Sequence, residues 1–180
     1  MRIGVIADTH GLFDPAIRRY FHDVEHILHA GDIGDRSVIE QLEQITPVTA
    51  VSGNVDDDQQ SGFPSEAMIE LAGRRIAIRH IVYQGGKLTR EGRAFLEREQ
   101  PDICVFGHTH QPRAEWFGKA LLFNPGSAGQ GDSHSPEEWD DQDRDSADDA
   151  THPAEGSARI ISYSVARSRE IVAQAAGGGL

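Results

Sequence analysis

Apolar and polar positions alternate in short blocks, and the blocks define elements. Arg2–Ala7 is apolar with β-branched residues, which predicts a strand. Asp14 followed by Pro15 predicts a helix start, running to about Phe21. Val24–His29 predicts a second strand. Asp35 predicts the cap of a helix whose Val38, Ile39, Leu42 and Ile45 share one face. Val48–Val51 predicts a third strand. Glu66–Leu71 and Arg74–Arg79, joined by Ala72-Gly73, predict a hairpin. Leu88, Phe95 and Leu96 give Lys87–Gln100 helical spacing, ending before Pro101. Asp102–Phe106 and Leu121–Phe123 predict buried strands, and Ile160–Val165 with Glu170–Ala173 a closing hairpin around Ala166–Arg169. The first half is therefore βαβαβ-like and the second half mostly β. This predicts a mixed α/β (α+β) chain with a sheet-on-sheet core and helices outside.

Charge changes this picture at one place. Residues 131–157 hold ten acids and one base, and a single large apolar residue, Trp139. Of the formal net charge of −12, that stretch carries −9. Such a composition cannot bury enough surface to offset its ordering entropy. It predicts a mobile acidic insertion within one domain that spans 1–176, with 177–180 as a frayed tail. The length of 180 residues suits one domain. The single cysteine, Cys104, excludes an intramolecular disulfide and a Cys-based zinc site. The acidic balance argues against coating duplex nucleic acid. With no apolar run long enough to span a bilayer, and too short an apolar N-terminus for a signal peptide, a cytoplasmic protein with no membrane partner is expected.

Chemistry-bearing residues cluster just after the predicted strands. Asp8-Thr9-His10 follows the first, Gly31-Asp32 the second and Gly53-Asn54 the third; His80 ends the strand Arg74–Arg79, and Gly107-His108-Thr109-His110 follows a very apolar strand. Taken singly, Asp8-Thr9-His10, Gly31-Asp32 and His80 read more readily as a cap, a turn or a structural residue, and Asn54, a plausible ligand, sits in an otherwise common loop sequence. The paired imidazoles of His108 and His110, at the end of a buried strand, favour metal ligation. Together the set offers two aspartates, one asparagine and four histidines, with no thiolate. Seven N/O donors with one shared carboxylate match two divalent ions about 3.5–4 Å apart. His29, three residues before Asp32, is not read as a ligand, and His22 and His26, flanking a helix–strand junction, read as surface groups. Asp56 reads as a turn residue or a partner for a ligand histidine, Cys104 as core, and Arg113 as a solvated cation.

The text IGVIADTHG, HILHAGDIG, VSGNVD, IAIRH, CVFGHTHQP and LLFNPGS, in this order over residues 3–127, resembles the calcineurin-like metallophosphoesterase superfamily. It is most similar to the small single-domain bacterial and archaeal phosphodiesterases of that superfamily. The resemblance implies a four-layer αββα fold, a two-sheet β-sandwich flanked by helices. It implies that Asp8, His10 and His110 hold one metal, that Asn54, His80 and His108 hold another, and that Asp32 bridges them. A hydroxide between the ions would attack phosphorus in line. Manganese is the expected metal, with iron, nickel, cobalt or zinc also suited to the imidazole ligands.

Two positions depart from the pattern. Val55 stands where many larger relatives carry a histidine that protonates the leaving oxygen; the small phosphodiesterases lack it too. Ile81 follows His80 where the family usually has glycine. The implied activity is hydrolysis of a small phosphodiester. The alternatives are a phosphomonoesterase and a non-catalytic scaffold of the same fold, as serves in the eukaryotic retromer coat.

Overall fold

The computed structural model describes residues 1–56, 62–129, 159–162 and 169–171. The expected acidic insertion at 131–157 and the tail at 177–180 lie outside the described residues, as does most of the turn between the last two strands.

The described strands form two five-stranded sheets. The first contains β1 (Arg2–Ile6), β2 (His26–His29), β3 (Val48–Ala50), β11 (Arg159–Ser162) and β12 (Arg169–Ile171), in the order β12-β11-β1-β2-β3. The second contains β4 (Glu66–Leu71), β5 (Arg74–Arg79), β8 (Ile103–Val105), β9 (Arg113–Phe117) and β10 (Ala120–Asn124), in the order β4-β5-β8-β10-β9. A small ribbon pairs β6 (Tyr83–Gln84) with β7 (Lys87–Leu88). The three helices among the described residues are α1 (Ala16–Tyr20), α2 (Arg36–Glu43) and α3 (Arg90–Glu99).

Strand periodicity explains the layers. In β1, Ile3 and Val5 face one way, and in β5, β8 and β10 so do Ile76, Ile78, Ile103, Val105, Leu121 and Phe123; these join one buried cluster between the sheets. The alternate residues face outward onto helices. Ile6, Ile27 and Ala50 pack with Ile17 and Phe21 of the α1 region and with Val38, Ile39 and Leu42 of α2. Ala77, Cys104 and Leu122 pack with Phe95 and Leu96 of α3. The result is the expected four-layer αββα arrangement, and Cys104 is a core residue, as expected.

Helix starts follow their caps. The Asp35 carboxylate accepts from the Ser37 N–H at 2.8 Å, as its position predicts. The Asp14 carboxylate accepts from Ala16 N–H at 2.8 Å, so α1 begins at Ala16, with Pro15 as its cap position. Helix α3 starts later than its spacing suggests. Gly85 and Gly86 both have positive φ (57° and 74°), turning Lys87–Leu88 back onto Tyr83–Gln84. Thr89 Oγ1 then accepts from Gly92 N–H and begins the helix. Strand β9 was not predicted; its alternation of half-buried and exposed residues puts Trp116, 60% exposed, on a sheet edge.

Direction matters most for the site. β1, β2 and β3 run parallel, and so do β5, β8 and β10. Each sheet therefore delivers three loops at one strand end, where α/β sheets place ligands.

Candidate metal centre

Five backbone segments build the site, each at the C-terminal end of a strand. Asp8 and His10 follow β1, Asp32 follows β2, Asn54 follows β3, His80 follows β5, and His108 and His110 follow β8. Among the described residues, seven non-glycine positions have positive φ, and five of them are Asp8, His10, Asp32, His108 and His110. Left-handed backbone at such residues costs about 1–3 kcal/mol each and persists where surrounding structure enforces it.

The enforcement is visible. The amides of Asp8, His10 and Gly11 donate to the carbonyls of Gly31, Asp32 and Ile33, lacing the β1 and β2 loops together. Ser127 Oγ and Gly129 N–H both donate to Asp8 O, at 3.0 and 2.8 Å. The Asn124 carboxamide donates to Gly107 O at 2.8 Å and reaches Thr109 Oγ1 at 3.1 Å, holding the β8 loop. Gly31 is required by close approach: a Cβ there would lie 2.7 Å from His80 Nδ1.

All seven candidate residues come together. His10 Nε2 lies 3.1 Å from His110 Nε2, and His110 Nε2 lies 3.6 Å from Asp8 Oδ1. Asn54 Oδ1 lies 2.9 Å from His108 Nδ1 and 3.1 Å from His80 Nε2. Asp32 faces both groups, with Oδ1 3.3 Å from His80 Nε2 and Oδ2 4.0 Å from His10 Nε2. The potential ligand atoms of Asp8, His10 and His110 lie within 4.8 Å of one another, and so do those of Asp8, Asp32 and His80.

The electrostatics are those of a cation site. Asp8 is fully buried, and its Oδ2 has no hydrogen-bond partner among the described residues. Burial pushes its carboxyl up to about 7, against the pull of His80 and the His108 N–H. Burial also opposes ionisation of Asp32, but the His80 ring and the Val55 N–H, 3.0 Å from Oδ1, hold it below the usual carboxylate range. His80 shows the reverse balance: burial disfavours its charge, yet Asp32 and Asp8 raise its pKa. Burial and the neighbouring His80 lower that of His108. A buried carboxylate whose Oδ1 lies 3.6 Å from His110 Nε2 and 3.9 Å from His80 Nε2, with a second carboxylate beside it, fits a divalent cation.

Three supporting residues have roles that their local sequence does not reveal. The Asp56 carboxylate accepts from Ile33, Gly34 and Gly53 N–H at 3.0, 2.8 and 2.8 Å, so it ties the Asp32 and Asn54 loops by their backbones and orients no histidine. His29 is fully buried: its Nδ1 accepts from Gly31 N–H at 3.3 Å, leaving Nε2–H to donate to Thr9 Oγ1 at 3.0 Å. Arg113, expected to be solvated, pairs with Glu115 at 2.8 Å and lies over the Tyr83 ring.

The calcineurin-like phosphoesterase superfamily domain matches residues 1–139. The chain belongs to this superfamily. A probable metallophosphoesterase of Methanothermobacter thermautotrophicus is 36% identical to this phosphoesterase-family chain over 133 residues, covering 71% of it and 77% of that protein. A structure described as that of a novel archaeal phosphodiesterase superposes with a TM-score of 0.56 at 25% identity, covering 70% of this chain and 84% of that one. Vacuolar protein sorting 29 of Cryptosporidium parvum superposes with a TM-score of 0.59 at 25% identity, over 71% of this chain and 74% of that one. Membership supports a divalent-metal-dependent hydrolase of phosphoric esters. No helix among the described residues is long and apolar enough to cross a membrane.

Proposed function

We propose that this chain hydrolyses small phosphodiesters with two divalent cations. Asp8, His10 and His110 would hold one, Asn54, His80 and His108 the other, and Asp32 would serve both. The observation that carries this reading is the position of Asp32 between the two donor groups, Oδ1 3.3 Å from His80 Nε2 and Oδ2 4.0 Å from His10 Nε2, beside the buried carboxylate of Asp8. Manganese is the metal we expect first, and iron, nickel, cobalt or zinc also suit the imidazole donors. Bound there, such cations would supply the Lewis acidity that activates water and neutralises charge on a phosphate.

The protein's own groups do the rest. His80 gives its Nδ1 proton to Ala30 O at 2.7 Å, which aims Nε2 at the oxygens of Asn54 and Asp32. The Val55 N–H fixes Asp32 Oδ1, while the Val55 side chain, 52% exposed, has no proton to give a leaving oxygen. That absence at position 55 supports a diester with a stable leaving group. The net charge of −12 supports a small substrate over duplex nucleic acid.

The test is elemental analysis of reconstituted, dialysed protein, with hydrolysis of bis(nitrophenyl) phosphate. Wild type is expected to hold two ions and to hydrolyse the ester. Asp32→Ala should lose both ions, and Asn54→Ala mainly one. Two ions retained in Asp32→Ala would overturn the shared-ligand assignment. The likeness to vacuolar protein sorting 29 favours a second reading, a scaffold of the same fold. A fully metal-loaded protein that hydrolyses no phosphoester would favour it.

A further inference from the structure

Beside the candidate metal centre lies a cavity of about 200 Å³, lined by Tyr83, Gln84, Gly85-Gly86, His108, Thr109, Gln111 and Arg113. At about 30 Å³ per water, it has room for roughly six waters, a group of several heavy atoms. His108 forms part of its wall and also reaches Asn54, so the cavity opens directly from the cation-binding side chains. A group esterified to a phosphate seated there would extend into it.

The lining selects the chemistry of that group. Arg113 is the one lining cation of permanent charge, and its charge is offset by Glu115, which also accepts from Tyr83 Oη. The wall therefore has no uncompensated charge for a second phosphate. It offers no stacking face either: Tyr83 is 7% exposed, and its ring is engaged by Phe106 and Arg113. What remains are two exposed carboxamides, Gln84 and Gln111, for which no side-chain partner exists among the described residues. A carboxamide both donates and accepts, which matches hydroxyl groups. The positive-φ turn at Gly85-Gly86 holds Gln84 at the rim, and no atom lies within 4 Å of where a Cβ would stand on either glycine.

We propose that this cavity holds an uncharged, hydroxyl-bearing alkyl or sugar group of the phosphodiester, read by the side chains of Gln84 and Gln111. This rests on the phosphodiesterase reading above and names the substrate class for the same site.

Two matched esters test it: dihydroxypropyl nitrophenyl phosphate and propyl nitrophenyl phosphate. They share a leaving group and a carbon skeleton, and differ only in hydroxyls. With the metal-loaded full chain, the diol ester should have a kcat/KM higher by about tenfold, mostly through KM, as expected for one or two exposed hydrogen bonds. In the Gln84→Ala/Gln111→Ala protein the ratio should fall to about one. Equal rates in wild type, or a ratio unmoved by the double substitution, overturn the proposal. A second readout needs no turnover: dihydroxypropyl methyl phosphate, titrated into metal-free protein, should shift the Gly85 and Gly86 amide resonances, and propyl methyl phosphate should not. Unmoved glycine resonances overturn the proposal. Shifted resonances without hydrolysis of either nitrophenyl ester keep the cavity as a hydroxyl-binding site and overturn the hydrolase reading alone.

Discussion

His80 and Ala30 are joined by a 2.7 Å hydrogen bond from the ring Nδ1 to the backbone carbonyl. The bond spans the two sheets, from the end of β5 to the end of β2. It assigns the Nδ1 proton and turns Nε2 toward Asp8, Asp32 and Asn54. Without a cation, a proton on Nε2 satisfies those oxygens, which is why the His80 pKa is raised. We expect His80→Ala to retain fewer ions per chain than wild type after dialysis, by elemental analysis, while its far-UV circular dichroism is unchanged. Full metal content in this variant would remove His80 from the ligand set.

Asp8 carries a stability penalty that depends on pH. Its folded pKa of about 7 lies above the usual carboxyl value of 3.8, so the metal-free fold loses stability as pH rises between these values. The shift corresponds to at most about 4 kcal/mol by pH 8. Metal-free Asp8→Asn should therefore melt above metal-free wild type at pH 8, with the gap closing toward pH 4. Calorimetry at the two pH values checks this. Added metal should raise the melting temperature of wild type much more than that of the variant.

His29 has the opposite linkage. Burial depresses its pKa from 6.5 to about 3, so stability is lost as pH falls through that window. The loss should reach about 2 kcal/mol by pH 5. His29→Gln keeps an N–H donor for Thr9 without a basic ring nitrogen. Urea unfolding at pH 7 and pH 5 should show a smaller drop for this variant than for wild type.

Val55 bears on the departing oxygen. General acid catalysis is typically worth about 10²–10⁴-fold, and no acid stands at this position. Across phosphodiesters of graded leaving-group pKa, kcat/KM should fall steeply, with nitrophenyl esters far ahead of alkyl ones. A flat dependence under rate-limiting chemistry would reveal a proton donor elsewhere.

Much of the fold is determined locally. The β1, β5, β8 and β10 blocks are apolar nearly throughout because one face meets the other sheet and the opposite face meets a helix. Such an apolar run is written in each strand's own residues. Asp35 and Thr89 cap helices through hydrogen bonds of two and three residues' reach. The seven candidate ligands are likewise legible, because each sits at the end of such a block. Strand β9 escaped because an edge strand buries too little to need a strong pattern.

Only the tertiary structure decided which residues meet. His10 and His110 are 100 residues apart in sequence and 3.1 Å apart in space, because two separate parallel runs of strands end side by side. The same convergence gives Asp56 the backbone amides of Ile33 and Gly34, buries His29 beneath Thr9, and turns Arg113 onto Tyr83. Nothing near these residues in sequence specifies those partners. Burial and periodicity are properties of a segment, whereas a hydrogen bond or a shared cation depends on where two segments are brought by the packing of the whole core.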